Sequence, residues 1–275
     1  ILASYPMHQA GLIWATSTIA FFLTAATILM SGSIPEPGQE NQTTRQFSDR
    51  PTAYNDFQNS GLGSGLGDSP ALAASSTAEP SYQPQERISL AHPSNYGERF
   101  SVDVNGRPLN NPYIVVLHET VGSASSALNL FQVNHSNDDD QVSYHALIGL
   151  DGTIYYVVPP EQRAFGAGDS SFQGAAGEES VVTNAAFPSS VNNFAYHVSL
   201  ETPPDGQNNN RANHSGYTDV QYRSLAWLLA RTTVPDARIT THKAVDRSGS
   251  RADPRSFDSQ YLLQLLHQYP SRAGL

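Results

Sequence analysis

The chain of 275 residues contains no cysteine. That excludes a disulfide framework and a thiolate metal site, so any transition metal must be held by histidine, aspartate or glutamate. Lysine is almost missing: Lys243 is the only one, so a fixed cation anywhere else has to be an arginine. Charge is sparse and lopsided, at 15% of residues, with 25 acidic against 15 basic side chains and a net charge of −10. Such a balance argues against nucleic acid, whose phosphates it repels, and against electrostatic attachment to anionic lipid. Residues 32–87 are poor in apolar side chains and rich in Pro, Gly, Ser, Gln and Asn, with a Gly-rich stretch at 61–67. Too little can be buried there to offset the entropy of ordering, so a disordered linker is expected, with an r.m.s. span of roughly 40 Å.

One long apolar run stands before that linker. No residue from Ala10 to Met30 is charged, and a helix of that length spans about 30 Å, the thickness of a bilayer's hydrocarbon core. Residues 1–31 are therefore expected to be a signal anchor or a signal peptide, Ser31-Gly32-Ser33 offering small residues for cleavage. Either form implies export to the cell envelope, with membrane contact through residues 10–30 where the segment is kept.

From about Ile88 to the end at Leu275 the pattern is that of one α/β domain. Tyr113 to Leu117 reads as a central strand, apolar on both faces. Ser123 caps a helix through Phe131. Asp151-Gly152 joins residues 141–150 to 153–158 as a hairpin. His197 to Leu200 is a short strand. Tyr217 to Arg231 is the clearest helix: Thr218 and Gln221 form a capping box, Tyr217 and Tyr222 a staple, and Leu225, Leu228 and Leu229 the buried stripe. Ile239 to Thr241 leads into His242, and Phe257 to Tyr269 closes the chain as a helix with Leu262, Leu263 and Leu266 inward.

Three residues stand out chemically. His242 and Asp253 lie on a Gly/Ser-rich loop that can fold back on itself, and His118 ends the strand at Leu117. Two imidazoles and one carboxylate are the donor set of an open zinc site, with the fourth position left to water. Among the other histidines, His145 is expected to hydrogen-bond within the hairpin or support the metal shell, and His197 to be a supporting or surface residue. His92, His135, His214 and His267 are expected on the surface, and Asp138-Asp139-Asp140 to be a solvated loop.

Several motifs occur in one order: His118 in Val-Val-Leu-His-Glu-Thr, Ser143 to Ile148 ahead of Leu150-Asp151-Gly152-Thr153-Ile154, Pro159 to Ala164, Leu200-Glu201, and His242 followed by Arg251-Ala252-Asp253-Pro254. Over residues 110–270 the chain thereby resembles the type 2 zinc-dependent N-acetylmuramoyl-L-alanine amidases, whose fold is shared by phage amidase lysozymes and peptidoglycan recognition proteins. The resemblance implies a central mixed β-sheet flanked by helices, and Zn²⁺ held by His118, His242 and Asp253. It also implies a peptidoglycan or muropeptide substrate cut between N-acetylmuramic acid and L-alanine. Tyr144 matches a tyrosine near the metal in the phage enzymes, and Glu201 the glutamate that the cytoplasmic amidases use. Two departures stand beside these matches. Arg251 replaces a catalytic lysine; it can stabilise an oxyanion but cannot act as a base. Phe165-Gly166-Ala167-Gly168 lacks the histidine of the family's aromatic-His-Ala-Gly. The expected mechanism has Glu201 taking the proton of water and delivering it to the leaving amine, with Arg251 and Tyr144 facing the oxyanion. Plainer roles compete: a solvated carboxylate for Glu201, an amphipathic sheet residue for Tyr144, pairing with Asp246 or Asp253 for Arg251. The alternative to an enzyme is a module that binds peptidoglycan without cutting it. A monomer is expected.

Overall fold

The computed structural model describes residues 80–274. In chain order the regular elements are β1 (Glu86–Ile88), β2 (Tyr96–Glu98), β3 (Ile114–Glu119), α1 (Ala124–Gln132), β4 (Ala146–Ile148), β5 (Ile154–Tyr156) and β6 (Gln162–Ala164). There follow β7 (Phe172–Gly174), β8 (Gly177–Glu179), β9 (Ala195–Leu200), α2 (Asp219–Leu229), β10 (Ile239–Thr241), α3 (His242–Val245) and α4 (Ser259–Leu266). Six strands form one sheet in the order β1-β5-β4-β9-β3-β10. The strands β4, β9, β3 and β10 run parallel, and the β4–β5 hairpin turns the far edge antiparallel. The sheet is thus mixed, as expected.

Both six-residue strands, β3 and β9, are buried along their whole length, which explains why their sequences are apolar on consecutive residues rather than alternately. Side chains still alternate between faces. On one face Val115, Leu117, Val198 and Leu200 meet Leu225, Leu228 and Leu229 of α2 and Leu262, Leu265 and Leu266 of α4. Each such fully buried leucine contributes about 1.5–3 kcal/mol relative to an exposed one. On the other face Ile114, Val116 and Ala195 pack under Phe172, Val191 and Phe194, and α1 seats Ala124, Ala127 and Phe131 against Leu147. His118 follows Ile114 and Val116 on this second face, whereas Glu119 follows Val115 and Leu117 on the first. Consecutive residues at the end of one strand therefore serve different sides of the sheet.

The local signals act as their chemistry requires. Ser123 accepts from the amide of Ser126 at the start of α1, and Thr218 and Gln221 form the reciprocal capping box of α2. The rings of Tyr217 and Tyr222 meet edge to face across it. Gly152 closes the β4–β5 turn at φ +81°, a conformation that glycine adopts without steric cost. Two details differ from expectation. In α4 Leu265 is buried beside Leu262 and Leu266 in place of the expected Leu263, which is only half-buried, because the helix starts at Ser259 and its inward stripe is set by packing on α2. The linker expected to reach residue 87 gives way to folded chain earlier. Tyr82 bonds to the Ser224 hydroxyl at 2.8 Å and β1 adds to the sheet edge through backbone pairing with β5. Its three side chains are exposed, so composition does not betray it. The apolar segment 10–30 and the linker up to residue 79 lie outside the described residues; among the described residues no helix is long and apolar enough to cross a membrane.

Candidate metal centre

His118 occupies the fifth position of β3, with no exposed surface. His242 begins α3 directly after β10, the strand paired with β3, and Thr241 caps that short helix by accepting from the amide of Ala244. The loop that brings Asp253 back is closed at both ends. The Lys243 amide donates to the Asp253 carbonyl at 2.9 Å, and the Asp246 carboxylate accepts from the amides of Ser248 and Arg251 at 3.1 and 2.9 Å. One carboxylate oxygen of Asp253 lies 3.4 Å from His118 Nδ1 and 3.1 Å from His242 Nδ1.

Those separations match a metal shell. Two ligands about 2.1 Å from zinc at a tetrahedral angle stand roughly 3.4 Å apart. His118 Nδ1 is buried and has no hydrogen-bond partner, although buried polar atoms are almost always paired. The three side chains are a group of donors within 4.8 Å of one another. Burial lowers the pKa of His118 to about 4, against the opposing pull of Asp253, so its imidazole is neutral at pH 7, as a ligand must be. Burial alone would raise the pKa of Asp253, but His118 and His242 together hold it below the ordinary carboxylate range. The residues present therefore fit a divalent metal, and the three expected ligands converge.

The remaining expected residues are placed as follows. Tyr144 stacks on His118, ring centroids 4.4 Å apart, and burial followed by the charge of Asp253 pushes its hydroxyl above the usual tyrosine range. It thus remains a proton donor at neutral pH. Arg251 is exposed; only its backbone amide reaches Asp246, and its guanidinium bonds to none of the described residues. Glu201 follows β9 on the His118 side. Its two oxygens accept from the amides of Ala124 and Leu150, each at 2.9 Å, so it ties the first turn of α1 to the hairpin and is not merely a solvated carboxylate. It makes no hydrogen bond to His118, His242 or Asp253.

Further residues complete the surroundings. Ser199 is paired in register with His118 on β9, and its hydroxyl is buried without a partner. Nδ1 of His197 lies 2.9 Å from His118 Nε2. His145 is no ligand: its Nδ1 accepts from the His197 amide and its Nε2 donates to the carbonyl of Gln162. On the opposite face Glu119, 3% exposed, accepts from Arg255 Nε, from the Tyr217 hydroxyl at 3.0 Å and from His214 Nε2 at 3.0 Å. Arg255 also donates to the carbonyls of Gly206, Asn209 and Arg211. This cluster locks the residue after one expected ligand to the residue two beyond another. His214, expected on the surface, has a fully buried side chain here, because Glu119 provides an acceptor 95 residues away in sequence. Asp138 to Asp140 form an exposed single turn.

The family model described as N-acetylmuramoyl-L-alanine amidase matches residues 108–256. The chain belongs to the N-acetylmuramoyl-L-alanine amidase family. All six expected metal and catalytic residues lie within the matched span. Among solved structures, the chain is similar to a selenomethionine AmpD derivative, at 24% identity and TM-score 0.47, covering 67% of this chain and 96% of that one. It is similar to AmpD of Citrobacter freundii at 24% identity and TM-score 0.41, covering 66% and 90%. It is also similar to the Drosophila peptidoglycan recognition protein SD at 16% identity and TM-score 0.38, covering 69% and 96%. No curated protein matches the chain.

Proposed function

We propose that this amidase is a zinc-dependent hydrolase that cuts the amide between N-acetylmuramic acid and L-alanine in peptidoglycan or its fragments. The observation that carries the reading is the convergence of His118, His242 and Asp253 at metal-ligand spacing in a chain of this family. When bound, zinc supplies a Lewis acid that makes water nucleophilic near neutral pH and polarises a carbonyl. The protein supplies the rest. Glu201 takes the proton of the attacking water and returns it to the leaving nitrogen. The two amides occupy one lone pair on each oxygen and fix the carboxylate's orientation, leaving two further lone pairs for a proton. Tyr144, with its hydroxyl protonated, and Arg251, with its guanidinium unengaged, donate to the oxyanion that develops on the scissile carbonyl. Retention of all three ligand positions favours this enzyme over a module that only binds peptidoglycan. The uncharged apolar run from Ala10 to Met30 supports export to the cell envelope. Mass spectrometry of purified sacculi incubated with the protein tests the reading. Free stem peptides beginning with L-alanine are expected, whereas binding to sacculi with no release of peptide contradicts it.

A further inference from the structure

His118 uses both of its ring nitrogens. Nδ1 faces Asp253 at 3.4 Å, and Nε2 lies 2.9 Å from Nδ1 of His197. Two neutral imidazoles joined in this way share one proton, carried either by His118 Nε2 or by His197 Nδ1. In the first arrangement the lone pair of His118 Nδ1 is free for a metal beside Asp253. In the second, His118 carries its hydrogen on Nδ1 and cannot ligate there. We infer that His197 is a positioning residue whose Nδ1, kept as an acceptor, fixes His118 in the Nε2–H tautomer and aims its Nδ1 at the metal. The inference rests on the zinc reading given above.

The surroundings of His197 are shaped for this role. Its ring is fully buried on β9, on the face that carries Ser199 and His118. Its backbone amide is fixed by Nδ1 of His145 at 2.9 Å, and the two rings lie nearly parallel, 12° apart. Residue 166, where the family resemblance leads to an expected histidine, is glycine. A Cβ there would stand 2.6 Å from Cγ and Nδ1 of His197, so the bare backbone is what gives the ring its place. With Nδ1 accepting, the remaining hydrogen of His197 sits on Nε2, which is buried and without a partner. A buried donor left in that condition destabilises the fold by about 1–3 kcal/mol, a cost that orientation of a ligand accounts for and simple packing does not. Metal-bound histidines generally donate their second N–H to a carboxylate, carbonyl or water. Here the acceptor is a neutral imidazole, so Asp253 remains the one negative charge among these groups.

Long-range proton–nitrogen NMR spectra of the full chain with one equivalent of Zn²⁺ test the tautomer directly. His118 should show a protonated Nε2 and a metal-bound Nδ1, and His197 an unprotonated Nδ1. Zinc affinity, measured by competition with a chromophoric chelator, should fall about 10–100-fold in His197→Leu. It should stay within a few-fold of the unmutated protein in His197→Asn, whose amide oxygen accepts the same hydrogen. Gly166→Ala, a change that touches no ligand, should also weaken zinc by displacing the ring. An unchanged affinity in a His197→Leu protein with native circular dichroism overturns the inference. So does a zinc-loaded spectrum in which His118 ligates through Nε2, a result that does not depend on any variant folding. Unmutated protein that takes up no zinc overturns the zinc reading, and this inference with it.

Discussion

Arg255→Met tests how the metal centre is held from behind. The substitution keeps an apolar stem of similar length but removes the guanidinium that bonds to Glu119 and to the carbonyls of Gly206, Asn209 and Arg211 at 2.7, 3.1 and 2.9 Å respectively. Glu119 is left buried without its cationic partner, with the hydroxyls of Tyr217 and Thr202 and Nε2 of His214 as its donors. Breaking a buried ion pair on one side costs about 3–5 kcal/mol. For a domain of this size each kcal/mol lowers Tm by about 2–4 °C, so a fall of roughly 6–20 °C is expected in thermal melts followed by circular dichroism. The double variant Glu119→Leu with Arg255→Met exchanges the pair for apolar groups and should recover most of that loss, since such exchanges are often neutral. A single variant melting within 2 °C or so of the unmutated protein would refute the reasoning, because Arg255 would then not be what holds loop 206–211 against the end of β3.

Further outcomes can be checked. Glu201→Gln should keep zinc bound and lose nearly all hydrolysis. Because an amide offers only one oxygen to the Ala124 and Leu150 amides, it should also cost about 1–3 kcal/mol; near-normal turnover measured well below the melting point would remove Glu201 from the chemistry. In the metal-free protein, His118 has its pKa lowered to about 4, and His145 and His197 are lowered too, all by burial first. The unfolded chain therefore binds more protons as pH drops below about 6.5, so stability is present above that pH and is lost as it falls toward 4. His118 alone contributes on the order of 3 kcal/mol to that loss, and urea midpoints that do not change between pH 7 and pH 5 would contradict these burials. Gly152→Ala places a Cβ 2.9 Å from the Tyr82 hydroxyl and 3.1 Å from the carbonyl of Val220 at φ +81°. It should lower stability by more than about 1 kcal/mol, readable as a drop in Tm.

What could be seen in the sequence divides by range. Helix α2 was legible because its signals are local: Thr218 and Gln221 are three residues apart, and the leucine stripe repeats within one turn. The hairpin was legible through Asp151-Gly152 for the same reason. The three-residue strands β1, β2, β6, β7 and β8 carry no period that a sequence can display; β1, β2 and β6 exist through backbone pairing with distant partners, and β7 and β8 through pairing with each other across a two-residue turn. The metal triad was visible as a donor set without thiols and as motifs in a known order, but not as a geometry. His197 reads only as a supporting or surface residue, and Glu119 was missed, because what gives them roles lies 79 and 136 residues away, at His118 and Arg255. Their own neighbourhoods, a strand interior and a strand end, look like ordinary core sequence. His214 illustrates the reverse error: a histidine among polar loop residues reads as surface until its buried carboxylate is known.

The central claim is that His118, His242 and Asp253 hold one ion on which cleavage depends. Its most direct test is stem-peptide release from muropeptides measured after chelation and then during stepwise addition of Zn²⁺. Release should stop in metal-free protein and return in full at about one zinc per chain, with no return in Asp253→Ala. Cleavage that continues at its original rate in protein verified to be free of metal would contradict it.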